Sequence, residues 1–163
     1  MLEGRDPDAP PEAAPPREAR QLLVFRVEAS LYALPAGLVD HVSQLGPIVP
    51  VPTAPAHFAG VIHERGRVLA VVDLAQIFGA AEARAPRGYR RLVVLELQGR
   101  SLAILAHEVP GLREIDGDQI RPSSGGDAIA AGELDDARGV VTLLDPDELL
   151  HALRSGPEAR RAS

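Results

Sequence analysis

Apolar and polar residues alternate along Leu22–Glu28, where Val24, Arg26 and Glu28 fall on one side and Phe25 and Val27 on the other. They alternate again along Leu92–Leu97, where Val94 and Glu96 oppose Leu95 and Leu97. A period of two is the mark of a β-strand, because successive side chains leave the backbone on opposite faces. Such strands, dry on one face and wet on the other, predict antiparallel sheet. The runs Leu31–Leu34, Val39–Leu45, Ala59–His63 and Val68–Val72 bring the first half of the chain to about five strands.

The pattern repeats. Sliding the chain until Leu22 meets Leu92 lays Leu22–Leu34 on Leu92–Ile104, in each case a strand, a turn and a second strand. A slightly longer slide, Arg67 onto Gly139, lays RVLAVVDLAQIF (Arg67–Phe78) on GVVTLLDPDELL (Gly139–Leu150), in each case an apolar strand ending in Asp and then a short helix. Two copies of so long a unit do not make a solenoid. They predict two copies of one small β unit, and small sheets hide their edges by closing. The expected fold is all-β: two small five-stranded barrels in pseudo-duplicate, with short helices and a C-terminal helix.

The helix starts share one chemistry. Asp73-Leu74-Ala75-Gln76 and Asp145-Pro146-Asp147-Glu148 read as capping boxes, in which the Asp oxygen accepts from an early helix N–H and the Gln or Glu reaches back. Pro146 suits the first helical position. Asp73 and Asp145 are therefore read as caps rather than catalytic acids, and Gly79 as the end of the first helix.

Residues 1–20 hold five prolines and eight charged residues, too little apolar surface to bury, and are expected to form a disordered tail. Residues 154–163 are read likewise. The folded part is then 21–153, divided into subdomain one at 21–78, a linker at 79–88 and subdomain two at 89–153.

One stretch invites a metal reading. GVIHERGRVLAVVDL (Gly60–Leu74) contains His63-Glu64, the start of the zinc-protease motif H-E-x-x-H. The second His is missing, because Arg67 stands four positions on. Val61-Ile62 before and Val68–Val72 after instead describe two strands joined by a tight turn at Arg65-Gly66, with Gly66 as the structural turn residue.

Composition narrows the chemistry. Hydrophobic residues make up 45% of the chain and aromatics only 3%, so the core is aliphatic. The absence of Cys excludes a disulfide framework and a thiol nucleophile, and agrees with a reducing compartment. A net charge of −6 with interspersed signs offers no basic face for nucleic acid. No apolar run approaches the roughly 18 residues of a membrane span, and the N-terminus lacks the apolar region of a signal peptide. The five histidines are scattered, no Ser sits in G-x-S-x-G, and Ser123–Gly126 reads as a loop rather than a phosphate cradle. Glu108 has no obvious partner. No cofactor or metal is indicated. A dispersed enzyme site around His63, Glu64 and His107 is the competing class.

The segments FRVEASLYALP (Phe25–Pro35), VDHV (Val39–Val42), FAGVI with RGRVL and VVDL (Phe58–Leu74), and IRP (Ile120–Pro122) together resemble the CheW family of bacterial chemotaxis adaptors over about Gln21–Leu153. The resemblance implies SH3-like five-stranded barrels, no catalysis and a cytoplasmic protein associated with membrane receptor arrays. It implies two partners, the cytoplasmic tip of a methyl-accepting chemoreceptor and the regulatory domain of a CheA-type histidine kinase, with no nucleic acid and no direct membrane insertion. Carried over residue by residue, it places Arg65 as the loop arginine of the receptor surface and Val39 and Val42 as its apolar strand positions, with His41, His63 and Glu64 beside them. Val39 and Val42 read equally well as core. The chain departs from the family pattern: His63 stands where Asn is usual, Glu64 for Leu, Ala70 for Pro, and His41 and His107 for acids. These departures point to a divergent, non-flagellar chemosensory system. A competitor or modulator that binds receptor or kinase alone is the alternative to an adaptor.

Overall fold

The computed structural model describes residues 20–78 and 88–162. The N-terminal tail expected at 1–20, apart from Arg20, and the expected linker, including Gly79 and all but Gly88, lie outside the described residues. The strands are β1 (Arg20–Val27), β2 (Ser30–Pro35), β3 (Val39–Gln44), β4 (Phe58–Glu64), β5 (Arg67–Val72), β6 (Arg91–Leu97), β7 (Arg100–Ala106), β8 (Glu108–Ile115), β9 (Ala130–Asp136) and β10 (Gly139–Leu144). The helices are α1 (Leu74–Ile77) and α2 (Pro146–Ala162). They form two five-stranded sheets, ordered β8-β1-β2-β10-β9 and β3-β6-β7-β5-β4.

The division into subdomains at 21–78 and 89–153 is corrected by this order. Hairpin β1–β2 sits among β8, β9 and β10, while hairpin β6–β7 sits among β3, β4 and β5. Each half has lent its first hairpin to the other half's sheet. The joins are parallel: β2 runs beside β10, with Tyr32 opposite Thr142, and β5 runs beside β7, with Val71 opposite Ala103. Periodicity identifies strands and not their neighbours, so the exchange, and the one parallel pairing that each sheet contains, were invisible in it.

The wet-face expectation is also corrected. Leu22, Leu23, Val24 and Phe25 are all buried, and so are Leu92, Val93, Val94 and Leu95. Leu22 and Val24 join Leu31, Ala33, Leu134 and Val141 in one apolar cluster. Leu23, Phe25 and Val27 enter a larger cluster with residues of the second sheet, α1 and α2. The two faces of β1 thus serve two apolar compartments, and alternation separates one from the other rather than dry from wet.

The duplication holds in atomic detail. Val49 bridges Val61 as Arg121 bridges Glu133, and the two pairs coincide when Arg67 is laid on Gly139. Asp73 N donates to His57 O at 2.8 Å, as Asp145 N donates to Ile129 O at 2.7 Å. His57 is fully buried where the second half has Ile129, and its ring packs on Phe58 with centroids 4.6 Å apart. A Cβ on Gly60 would lie 2.3 Å from Val49 O, and one on Gly132 would lie 2.7 Å from Ile120 Cγ2. Glycine at both sites lets the chain cross close over β4 and β9.

Asp73 Oδ1 accepts from Ala75 N at 3.2 Å and from the Tyr89 hydroxyl at 3.0 Å, so the cap of α1 also holds the start of the second half. Asp145 Oδ1 accepts from Asp147 N at 3.0 Å and Glu148 N at 3.2 Å at the start of α2. Leu149, Leu150, Ala152 and Leu153 bury one helical face. The backbone of α2 continues helical to Ala162, through the stretch expected to be a tail. That stretch contains Gly156 and Pro157, the two poorest helix formers, so intrinsic propensity does not account for the helix there.

No backbone ladder joins the two end strands of either sheet. Side chains span the gap instead: Glu64 of β4 meets His41 of β3 at 2.7 Å, and Asp136 of β9 meets Arg113 of β8. Each sheet therefore curls until its ends touch.

Gly60→Ala should destabilise by about 1–3 kcal/mol, since the residue holds φ +147° and its new methyl meets a backbone oxygen; denaturant titration checks it. At Asp136, burial pushes the carboxyl up, but the Arg138 backbone N–H and the charges of Arg113 and Arg138 outweigh this and hold it below its ordinary value of 3.8. A carboxyl lowered in the folded state stabilises above its unfolded titration, and that stability is lost as pH falls through the folded value. Asp136→Asn should therefore lower the neutral-pH Tm by a few degrees, about 1 kcal/mol. It should also remove that part of the acid-induced loss which lies below 3.8 in the parent protein. Thermal melts across acid pH decide this.

Candidate functional site

The β4–β5 hairpin turns through two residues. Glu64 pairs with Arg67, while Arg65 at φ 52° and Gly66 at φ 80° make the turn. Two successive positive φ values suit the right-handed twist of the flanking strands, and glycine accepts this freely while Arg does not. Gln98 and Gly99 build the β6–β7 turn in the same way. The conformation therefore belongs to the turn, and the choice of Arg belongs to the surface. Arg65 is 66% exposed at its side chain, with Nε 3.8 Å from Glu64 Oε2.

Around it lies a network of charges. His41 Nε2 is 2.7 Å from Glu64 Oε2, and His41 Nδ1 is 2.8 Å from Asp40 Oδ2. Arg67 Nη2 lies 3.7 Å from Asp40 Oδ2, and Arg67 Nη1 donates to Ser101 Oγ at 2.8 Å. The structure thus brings His41, Glu64 and Arg65 together and adds Asp40 and Arg67, which sequence reading passed over. Both were within reach of it: Asp40 adjoins His41 in the strand, and Arg67 faces Glu64 across the expected turn.

The remaining predicted positions divide. Val42 is exposed on β3, whereas Val39 is half-buried and packs against the larger core. His63 is exposed, opposite Val68 in the hairpin register and on the other face of β4 from Glu64. His107 is held by different residues: its Nδ1 accepts from Glu28 N at 2.9 Å, and its ring lies 4.1 Å from that of Tyr89. His63, Glu64 and His107 therefore do not converge on one site. Glu108, for which the sequence suggested no partner, accepts from Arg26 Nε at 3.0 Å. Among the described residues, no group of three or more His, Cys, Asp or Glu could hold a metal ion, and no helix is long and apolar enough to cross a membrane.

The outer face of this hairpin differs from its duplicate. Val49 and Val68 are each 60% exposed, and Val51 is 46% exposed. At the equivalent positions the second half keeps a valine, Val140, for Val68 but replaces Val49 and Val51 by Arg121 and Ser123. There Arg121 Nη2 donates to Asp135 Oδ1 at 3.1 Å. On one backbone plan, the first half presents aliphatic surface where the second presents salt-bridged charge. Overlaying the repeat on itself would have flagged these positions from the sequence.

Comparison with known proteins converges on one family. The family model described as "CheW-like domain" matches residues 21–154. Protein FrzA of Myxococcus xanthus is 34% identical over 155 residues, covering 91% of this chain and 96% of that protein. A chemotaxis protein CheW of Rhizobium meliloti is 29% identical over 124 residues, covering 76% of this chain and 78% of that protein. The crystal structure of the scaffolding protein TtCheW from Thermoanaerobacter tengcongensis shares the fold, with a TM-score of 0.71 at 22% identity over 85% of this chain and 94% of that one.

Proposed function

The chain belongs to the CheW-like domain family, and from that membership we propose that it is a non-enzymatic adaptor which joins chemoreceptors to a CheA-type histidine kinase in a bacterial chemosensory array. The observation that carries the reading is the β4–β5 hairpin: an exposed arginine at a tight turn, flanked by charged residues and by exposed aliphatic residues, of which Val49 and Val51 have no aliphatic counterpart in the duplicate. A guanidinium offers a planar fork of donors to carboxylates and carbonyls. Exposed valines offer the apolar contact that a docked helix needs. Among the residues proposed for receptor binding, Arg65, Val42, His41, His63 and Glu64 supply the surface, and Val39 supports it from beneath.

The relative FrzA covers 91% of this chain, and a divergent, non-flagellar system is the setting we propose. The departures at His41, His63 and Glu64 fall on the proposed surface and agree with a partner set of its own. As an adaptor the protein acts at the cytoplasmic face of a receptor array. A modulator that binds receptor or kinase alone is the second reading, and simultaneous binding separates the two.

Co-sedimentation with a receptor cytoplasmic fragment, with and without the kinase regulatory domain, tests the proposal. The parent protein should bring receptor and kinase domain down together. Arg65→Ala and Val42→Asp should each weaken receptor capture at least tenfold, with unchanged circular dichroism, because truncating a central interface residue costs about 2 kcal/mol. Capture unchanged in both variants refutes the site, and capture of one partner only refutes the adaptor.

A further inference from the structure

The contact between the ends of the sheet containing β3 and β4 is made by a titratable group. His41 presents Nε2 to Glu64 at 2.7 Å and Nδ1 to Asp40 at 2.8 Å. Ionised carboxylates only accept hydrogen bonds, so bonds at both nitrogens require a hydrogen on each, and the ring that satisfies this geometry is the imidazolium. The other sheet solves the same problem with a permanent cation, Arg113 against Asp136. With the two halves overlaid, Glu64 falls on Asp136 and Ser43 falls on Arg113. Ser43 thus occupies the guanidinium's place, with its hydroxyl buried and without a hydrogen-bond partner among the described residues. The cation is supplied instead from His41, two residues along the same face of β3.

We propose that Asp40, His41 and Glu64 form a proton-operated clasp between β3 and β4, closed while His41 carries both ring protons and released when one leaves to solvent. The charges that face this ring come from every side. Asp40 lies on its own strand and Glu64 on β4. Arg65 reaches the ring through Glu64, at 3.8 Å, and Arg67 of β5 reaches it through Asp40, at 3.7 Å. Its register partner on β6 is Val94, which carries no charge. A neutral ring can donate to only one carboxylate and turns a lone pair on the other. Closure is therefore favoured at lower pH and lost as pH rises. The equivalent clasp at Arg113 keeps its charge throughout. The device touches partner binding only through the function proposed above, since the hairpin carries Arg65, and its test needs no partner.

The test is nuclear magnetic resonance on the isotope-labelled full chain. Imidazole nitrogen shifts of His41, assigned by their loss in His41→Arg, report ring protonation. Amide hydrogen exchange in β3 and β4, referenced to β8 and β9 to remove intrinsic base catalysis, reports closure. From mildly acidic to mildly alkaline pH, β3 and β4 protection should fall about tenfold relative to β8 and β9 as the second ring proton is lost. His41→Arg should hold its protection across the range, and His41→Gln should show low protection throughout. A His41 ring that stays singly protonated while β3 and β4 remain protected overturns the clasp. So does a fall in protection shared equally by the parent and His41→Arg, or full protection in His41→Gln.

Discussion

The parallel pairing of β2 with β10 and of β5 with β7 is the constraint on which the molecule depends. Each pairing joins the first hairpin of one half to the last strand of the other. Neither half can complete a sheet alone, so the apolar faces of Leu22–Phe25 and Leu92–Leu95 are buried only when both halves are present. Many of the contacts that matter lie far apart in sequence, and they form together or not at all. The duplicated unit is a unit of sequence, not of folding.

Because the backbone plan occurs twice, each half serves as a control for the other. Where backbone geometry dictates the residue, the halves agree: Gly60 and Gly132 sit under a crossing segment, and Asp73 and Asp145 cap the helices. Where they differ, geometry has left the position open to other demands. Val49 against Arg121 is such a difference at the surface, and His57 against Ile129 is one inside the core. The hairpin that carries Arg65 combines several of them. Its outer face is aliphatic, its turn carries a cation, and its link to β3 is made by a histidine rather than an arginine.

The charges at that hairpin are shared among several partners. Two carboxylates, Asp40 and Glu64, stand among His41, Arg65 and Arg67. Arg65 is the most loosely held cation, at 3.8 Å from a carboxylate already bonded to His41, and it is exposed. An exposed pair at that separation contributes little to stability. Its guanidinium can therefore turn to a partner at small cost to the fold, while His41 and Arg67 keep the hairpin in place.

The sequence by itself determined what is local. Period-two runs located the strands, Asp73 and Asp145 announced the helix starts, and Arg65-Gly66 announced a tight turn. The match of Leu22–Leu34 to Leu92–Ile104, and of Arg67–Phe78 to Gly139–Leu150, announced the duplication. Each of these is written in a few consecutive residues, because dihedral preference and capping act over one turn or one strand. The tertiary structure decided which strand lies beside which, that both faces of β1 at Leu22–Phe25 and of β6 at Leu92–Leu95 are dry, that Val39 leans on the core while Val42 faces out, and that His41 meets Glu64. Those are properties of chain segments brought together from a distance. An alternating strand carries the same pattern whichever neighbour it takes, and His41 and Glu64 are partners only because the two ends of one curled sheet come to the same place.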